Sequence, residues 1–304
     1  VTVRLVPPPP RHAVGSPAPG ASATRRNLLP ARRLGAGTSG RAGGGGVDAV
    51  GRPRSSPAYW RVQERLSPAG RRLARRVADA VASGAFGSVR GGRPAGAAVA
   101  VTFDDGPDPA TTPRLLDLLA AEGTRATFFI LARRAEAYPE LAGRLVAEGH
   151  EVGLHGPDHR PLTGVLTGDL TAHLRAGRDR LAAVLGRPVT LFRPPYGSQS
   201  PRTYLAARRC GLRVVVWSAD AEDWLEQPPG DVARRALARL GPGGILLLHD
   251  TLAPEPSLPA PAATFDRVEA ARLVLAGIRD RGWRATTVAD LTAGGEVRTL
   301  WLRP

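Results

Sequence analysis

The chain has 304 residues, 42% hydrophobic and 23% charged, proportions that belong to a protein with a buried core rather than to a disordered or fibrous one. No apolar run nears the ~18 residues of a membrane-spanning helix, and the single cysteine, Cys210, excludes a disulfide framework and any multi-thiolate metal cluster. The net charge of +15 is uneven: residues 1–97 hold seventeen arginines against Asp48, Glu64 and Asp79, whereas residues 98–304 hold 25 arginines and 24 acids.

Residues 1–56 contain Pro7 to Pro10 and Gly43 to Gly46 with hardly an aromatic or periodic apolar residue. Such a stretch buries too little surface to offset its ordering entropy, so a disordered basic tail is expected. It does not read as an export leader, because the four prolines interrupt where an apolar core should run. The chain opens on Val, and the expected compartment stays open between the cytoplasm and, with a start further upstream, the outside. Residues 57–97 are expected to carry a basic amphipathic helix and a linker. Ser67 and Pro68 make a helix start, Leu73, Val77 and Val81 form a stripe, and Arg71, Arg72, Arg75 and Arg76 take the other face. The expectation is a docked helix with solvated arginines, the alternative a weak contact with an anionic surface or polymer. No specific nucleic acid is expected, since the arginines of the tail lack interleaved aromatics.

From residue 98 short apolar strands alternate with amphipathic helices. Strands are predicted at 98–103, 125–131, 151–154, 189–192, 214–217 and 245–248, and helices at 113–122, 139–148, 170–185, 201–210, 231–240 and 266–281. Repeated strand–helix units imply a mainly parallel sheet with helices outside, open or closed into a barrel, with its chemistry at the strand C-terminal ends. Residues 98–290 are predicted to be the catalytic domain and 291–304 a C-terminal extension.

Metal-competent and proton-carrying residues stand at these strand ends one after another: Asp104 and Asp105, then His155 and His159, then Arg193, then Asp220, Asp223 and Trp224, then His249 and Asp250. Parallel strands bring all of them to one rim. Two histidines four apart plus one carboxylate match a three-ligand catalytic zinc site, which keeps a position for water. Adjacent carboxylates in a strand-end turn point different ways, so Asp105 suits the metal while Asp104 is free as a base. His249, across the rim, suits the acid that protonates a leaving group. The reaction class is metal-assisted hydrolysis of an amide or ester.

Residues 98 to about 290 resemble the polysaccharide deacetylases with a NodB homology domain, carbohydrate esterase family 4. The likeness is carried by Thr102-Phe103-Asp104-Asp105-Gly106-Pro107, His155-Gly156-Pro157-Asp158-His159, Arg193-Pro194-Pro195-Tyr196-Gly197, Asp223-Trp224 and the strand ending in His249. The resemblance implies an α/β fold, a distorted (β/α) barrel of about seven parallel strands, and the removal of N-acetyl groups from N-acetylglucosamine-type sugars. It also implies roles. Asp104 is then the general base and Asp105, His155 and His159 hold one divalent ion, Zn2+ by expectation with Co2+ as an alternative. Arg193 keeps Asp104 charged, the N–H of Tyr196 serves the oxyanion, and His249 is the acid supported by Asp223 rather than Asp220. Trp224, Leu247 and Pro195 contact the substrate. The implied partner is an acetylated carbohydrate, with the protein acting as a monomer. One position departs from the pattern: Gly156 stands where the family usually has Ser or Thr. Alternatives are the same fold acting on an O-acetyl ester, a cyclic imide or a small amino-sugar, and a non-catalytic polyanion-binding protein.

Overall fold

The computed structural model describes residues 86–165, 167–253 and 263–301, with isolated positions 77 and 83. Its strands are β1 (Ser88–Gly92), β2 (Ala98–Asp104), β3 (Thr127–Leu131), β4 (Glu151–Gly156), β5 (Leu191–Phe192), β6 (Arg213–Val214), β7 (Ala219–Asp220), β8 (Ile245–His249), β9 (Arg284–Thr286) and β10 (Glu296–Thr299). Its helices are α1 (Thr112–Ala121), α2 (Ala132–Ala137), α3 (Pro139–Ala147), α4 (Thr167–Leu185), α5 (Pro201–Arg209), α6 (Pro229–Arg239), α7 (Arg267–Asp280) and α8 (Val288–Thr292).

Every residue of β2 and of β3 is buried. That is the mark of strands with helices on one side and a filled interior on the other. The sheet runs β6-β5-β4-β3-β2-β8-β7, all parallel, and β9 pairs with the first residues of β2. Residues 215–218 join the two ends of this seven-strand path. Between those ends lies β1, where Val89 bridges Val215 and Gly91 bridges Gly244. The outcome is a curled α/β half-barrel, as the strand–helix alternation predicts.

Side-chain alternation divides the apolar residues into two clusters. Val99, Val101 and Phe103 of β2 and Leu246 and Leu248 of β8 pack outward against helices, meeting Leu115, Leu116 and Leu119 of α1 and Val274 and Ile278 of α7. Ala98 and Ala100 of β2, Ile245 and Leu247 of β8, Phe129, Leu191 and Trp217 fill the inside. Helix starts follow the sequence signals. Pro113 opens α1, Ser200 caps α5 by accepting from the Thr203 N–H, and Asp266 caps α7 by accepting from Val268 and Glu269.

Three features differ from the sequence pattern. The strand predicted at 214–217 ends at Val214: the Val215 N–H still donates to Phe192 of β5, but Val215 also bridges Val89 of β1, and the Val216 N–H donates to the Val89 carbonyl. Helix α2 follows β3 with no turn residue between them, so no breaker announces it. Residues 296–299, within the expected C-terminal extension, pair antiparallel with β1, and Trp301 is buried in the inner cluster. The tail 1–56 and the helix expected from Ser67 lie outside the described residues, as do 254–262 and 302–304. Val77, the described member of that helix's stripe, is 54% exposed. Among the described residues no helix is long and apolar enough to cross a membrane.

Candidate active site

Strand alternation sends Thr102 and Asp104 to the inner face of β2, and Leu247 and His249 to the inner face of β8. The two strands are in register there, Thr102 against Leu247 and Asp104 against His249. Beneath Asp104 lies Arg193, entirely buried. Its Nη1 donates to Asp104 Oδ1 at 2.7 Å and to Thr102 Oγ1 at 2.7 Å, and Thr102 passes its own proton to the Leu246 carbonyl at 2.6 Å. The guanidinium carbon sits 4.1 Å from the centroid of the Phe129 ring. Burial pushes the Arg193 guanidinium down, and the Asp104 carboxylate works against that. Such a pair is costly to desolvate and costlier to break, since either partner alone is a buried uncompensated charge.

At Asp105 the chain leaves the strand with φ +80°, so this carboxylate turns away from the Asp104 side. Asp105 Oδ2 accepts from the Ala253 N–H at 2.9 Å, and Oδ1 lies 3.2 Å from both His155 Nε2 and His159 Nε2. Burial would raise the Asp105 carboxyl, yet the two imidazoles hold it well below the usual carboxylate range. His155 Nδ1 faces the Arg193 carbonyl at 2.9 Å, which assigns its proton there and turns Nε2 toward Asp105. Asp105 Oδ1 and His159 Nδ1 are buried without a hydrogen-bond partner among the described residues. One donor atom from each of Asp105, His155 and His159 falls within 4.8 Å of the others. Three converging donors of this type, one an orphaned buried oxygen, fit a divalent cation of the zinc class. The loop is tight because Gly156 adopts φ +120° at a register shift between β3 and β4, where a Cβ would meet the Asp158 carbonyl oxygen at 2.7 Å.

Across the rim His249 Nδ1 lies 2.8 Å from Asp223 Oδ1, and the His249 N–H donates to Asp223 Oδ2 at 2.8 Å. Burial opposes the imidazolium, but the Asp223 carboxylate, with Asp105 and Asp104 behind it, pushes His249 up to about 9. Arg267 Nη1 donates to Asp223 Oδ2 at 3.2 Å. The Trp224 ring stands edge-on to His249 at 6.1 Å and is 41% exposed. Beside the Asp105 turn, Asp250 accepts from Thr112 Oγ1 at 2.5 Å. Burial pushes Asp250 up to about 7, Asp105 adding to the effect and the Thr112 hydroxyl opposing it. Gly106 makes room for that carboxyl, whose oxygen lies 2.1 Å from where a Cβ would stand.

Residues 91–215 match the polysaccharide deacetylase family. Over 188 residues the chain is 37% identical to a chitooligosaccharide deacetylase of Sinorhizobium fredii, an alignment covering 61% of this chain and 87% of that protein. The chain belongs to the polysaccharide deacetylase family. It is also 32% identical over 193 residues to peptidoglycan-N-acetylmuramic acid deacetylase PdaC of Bacillus subtilis, spanning 64% of this chain but 38% of PdaC. The solved PdaC structure matches with a TM-score of 0.57 at 31% identity, over 66% of this chain and 91% of that one. A likeness of fold extends to a pseudoenzyme of the same CE4 family from Bacillus anthracis, with a TM-score of 0.62 at 22% identity over 70% and 71% of the two chains. Fold is therefore shared with an inactive relative, and activity has to be read from side chains.

In this chain the rim brings together Asp104, Asp105, His155, His159, Arg193, Asp223 and His249 through the contacts given above. Tyr196, in a left-handed conformation with φ +58°, sits over His159 with ring centroids 4.3 Å apart, and Pro195 beside it is buried. Leu247 lies one pleat below His249 and is 3% exposed. Asp220 points elsewhere: it accepts from Trp217 Nε1 and pairs with Arg239 at 2.7 Å. Sequence reasoning passes over Thr102 and Arg267. A hydroxyl amid the apolar run Ala98 to Phe103 was a usable signal for Thr102. For Arg267 the hint is weaker: an arginine in the first turn of a helix, where a cation is disfavoured.

Proposed function

We propose that this chain is a divalent-metal-dependent deacetylase that hydrolyses the acetamido bond of N-acetylglucosamine-type sugars in chitin oligosaccharides, peptidoglycan or a related glycan. The observation that carries the reading is the convergence of Asp105, His155 and His159 beside the Asp104–Arg193 pair and across from the His249–Asp223 pair. The names of the relatives support the substrate class.

Asp105, His155 and His159 would hold the ion, Zn2+ by the chemistry of two imidazoles and a carboxylate. When bound, it supplies Lewis acidity that polarises the acetyl carbonyl and acidifies a water. Asp104, oriented by its ion pair with Arg193, removes a proton from the attacking water as its oxygen bonds to the acetyl carbon. The Tyr196 N–H donates to the carbonyl oxygen as charge develops on it. His249, held as an imidazolium by Asp223, gives its proton to the sugar nitrogen as the C–N bond breaks, so acetate and a free amine leave. Trp224 and Leu247 flank the acetyl group, and Pro195 shapes the loop opposite.

The test is acetate release from N-acetylated chitin oligosaccharides and from peptidoglycan by the zinc-loaded chain, with mass spectrometry of the products. Loss of a 42-Da acetyl increment per sugar, about the mass change of amide deacetylation, abolished by chelation, supports the reading. Acetate release confined to O-acetyl esters, or undiminished by a chelator, would sink it.

A further inference from the structure

Arg267 occupies the first turn of α7, where the unpaired N–H groups and the macrodipole oppose a cation. Its guanidinium turns inward. The side chain is 10% exposed and its guanidinium carbon lies 5.0 Å from the Phe265 ring centroid. Nη1 reaches Asp223 Oδ2 at 3.2 Å, the Asp223 carbonyl at 3.2 Å and the His249 carbonyl at 3.4 Å. Nη2 is buried with no hydrogen-bond partner among the described residues. A half-satisfied arginine at an electrostatically adverse helix end is a local conflict in the sequence, and such conflicts collect where function requires them.

What the arginine grips is the carboxylate under His249. Asp223 Oδ1 accepts from the imidazole and Oδ2 from the His249 N–H, both at 2.8 Å. Asp223 stands in the loop between β7 and α6, and among the described residues His249 and Arg267 are what fix its carboxylate.

We propose that Arg267 is a positioning residue for proton donation by His249, pinning Asp223 between the end of β8 and the start of α7. The proposal rests on His249 being the general acid. Its effect has two parts. Because one nitrogen holds the carboxylate and the His249 carbonyl together, ring and carboxylate keep their alignment as substrate enters. The fixed cation also shares the negative charge of Asp223, so the imidazolium releases its proton more readily than over an unshared carboxylate. The carboxylates acting on the imidazole are Asp223 from the β7–α6 loop and Asp105 and Asp104 from the end of β2; Asp250 follows His249 in the chain, and Arg267 from α7 meets Asp223 and the His249 carbonyl. Among the described residues Arg267 is the cation paired with Asp223, as Arg193 is with Asp104. The acid side of the rim thus repeats the arrangement of the base side, where Arg193 grips Asp104.

The experiment compares kcat and KM against pH for the zinc-loaded full chain and its Arg267→Met, Arg267→Gln and Arg267→Lys variants on a soluble chitin tetrasaccharide. Arg267→Met and Arg267→Gln lower kcat about tenfold, leave KM within about twofold and move the alkaline limb up by about one pH unit. Arg267→Lys keeps the limb near the wild-type pH and recovers part of kcat. Unchanged kcat and limb in both neutral variants, or an equal loss in all three with no movement of the limb, overturns the proposal. Nitrogen-15 NMR titration of His249, assigned with His249→Gln, reads the same effect without turnover. A midpoint that rises in the neutral variants supports it and an unmoved midpoint overturns it. A wild-type chain that titrates as expected yet deacetylates nothing counts against the deacetylase reading alone.

Discussion

Asp104 and His249 end neighbouring parallel strands as register partners, so a carboxylate and an imidazole from distant parts of the chain share the inner face of one rim. Asp104 is tied to buried Arg193, and His249 to Asp223. Asp104→Asn is therefore expected to lower kcat by about 10²–10⁴ while zinc still binds. The same change leaves Arg193 without its counter-charge. A loss of about 3 kcal/mol in urea unfolding should accompany the lost activity. Full turnover in a folded Asp104→Asn protein would remove Asp104 as the base.

Zinc should stabilise the chain through Asp105, His155 and His159. At a free concentration one hundred times its dissociation constant, a ligand that binds only the folded state adds about 2.7 kcal/mol. For a domain of this size that corresponds to a Tm rise of about 5–10 °C. Differential scanning fluorimetry with and without a chelator reads the shift, and His155→Ala or Asp105→Asn should abolish it. An undiminished shift in both variants would place the ion elsewhere.

Much of the fold and the rim is legible before any coordinates. Runs such as Thr127 to Leu131, buried on both faces, announce interior parallel strands, and the polar residues that end them mark the rim by the geometry of the fold. What the sequence hides depends on long-range partners. Val215 and Val216 look like a continuation of β6, but Val215 holds β5 through its N–H while bridging β1, and Val216 donates to β1. Gln199, in a loop, donates to the carbonyl of Trp301 at 2.6 Å across the chain, and no local pattern announces it. Arg267 is similar, since its meaning comes from Asp223 and His249, brought to it only by folding.

The His249–Asp223 pair makes stability depend on pH with a definite sign. His249 is pushed up to about 9 in the folded chain, above its ordinary 6.5. A group whose folded value is raised contributes stability that is fully present below pH 6.5 and is lost as pH rises through 9. The gap corresponds to about 3 kcal/mol. In the chelator-treated protein, urea midpoints measured from pH 6 to 9.5 should fall across that window. Asp223→Asn should be less stable at pH 6 and should flatten the slope. An equal slope in both proteins would mean that another group drives it.

Gly156 supplies the sharpest test of how the loop between His155 and His159 is built, because its backbone conformation is one that a side chain rarely adopts. At φ +120° a side chain is strained whatever its size, and a Cβ there would press on the Asp158 carbonyl at 2.7 Å. The change Gly156→Ser is thus expected to harm this protein. The change should cost about 1–3 kcal/mol of stability. His155 precedes Gly156 directly and His159 follows three residues later, so a shift of the loop separates Nε2 atoms that now both lie 3.2 Å from Asp105 Oδ1. Zinc affinity by isothermal titration calorimetry should fall about tenfold or more, in line with changes to groups that orient metal ligands. Gly156→Ala separates the causes. Equal losses in the alanine and serine variants point to backbone strain. A serine variant that binds zinc as tightly as the wild type would show that the loop relaxes and that Gly156 is not needed to shape the site.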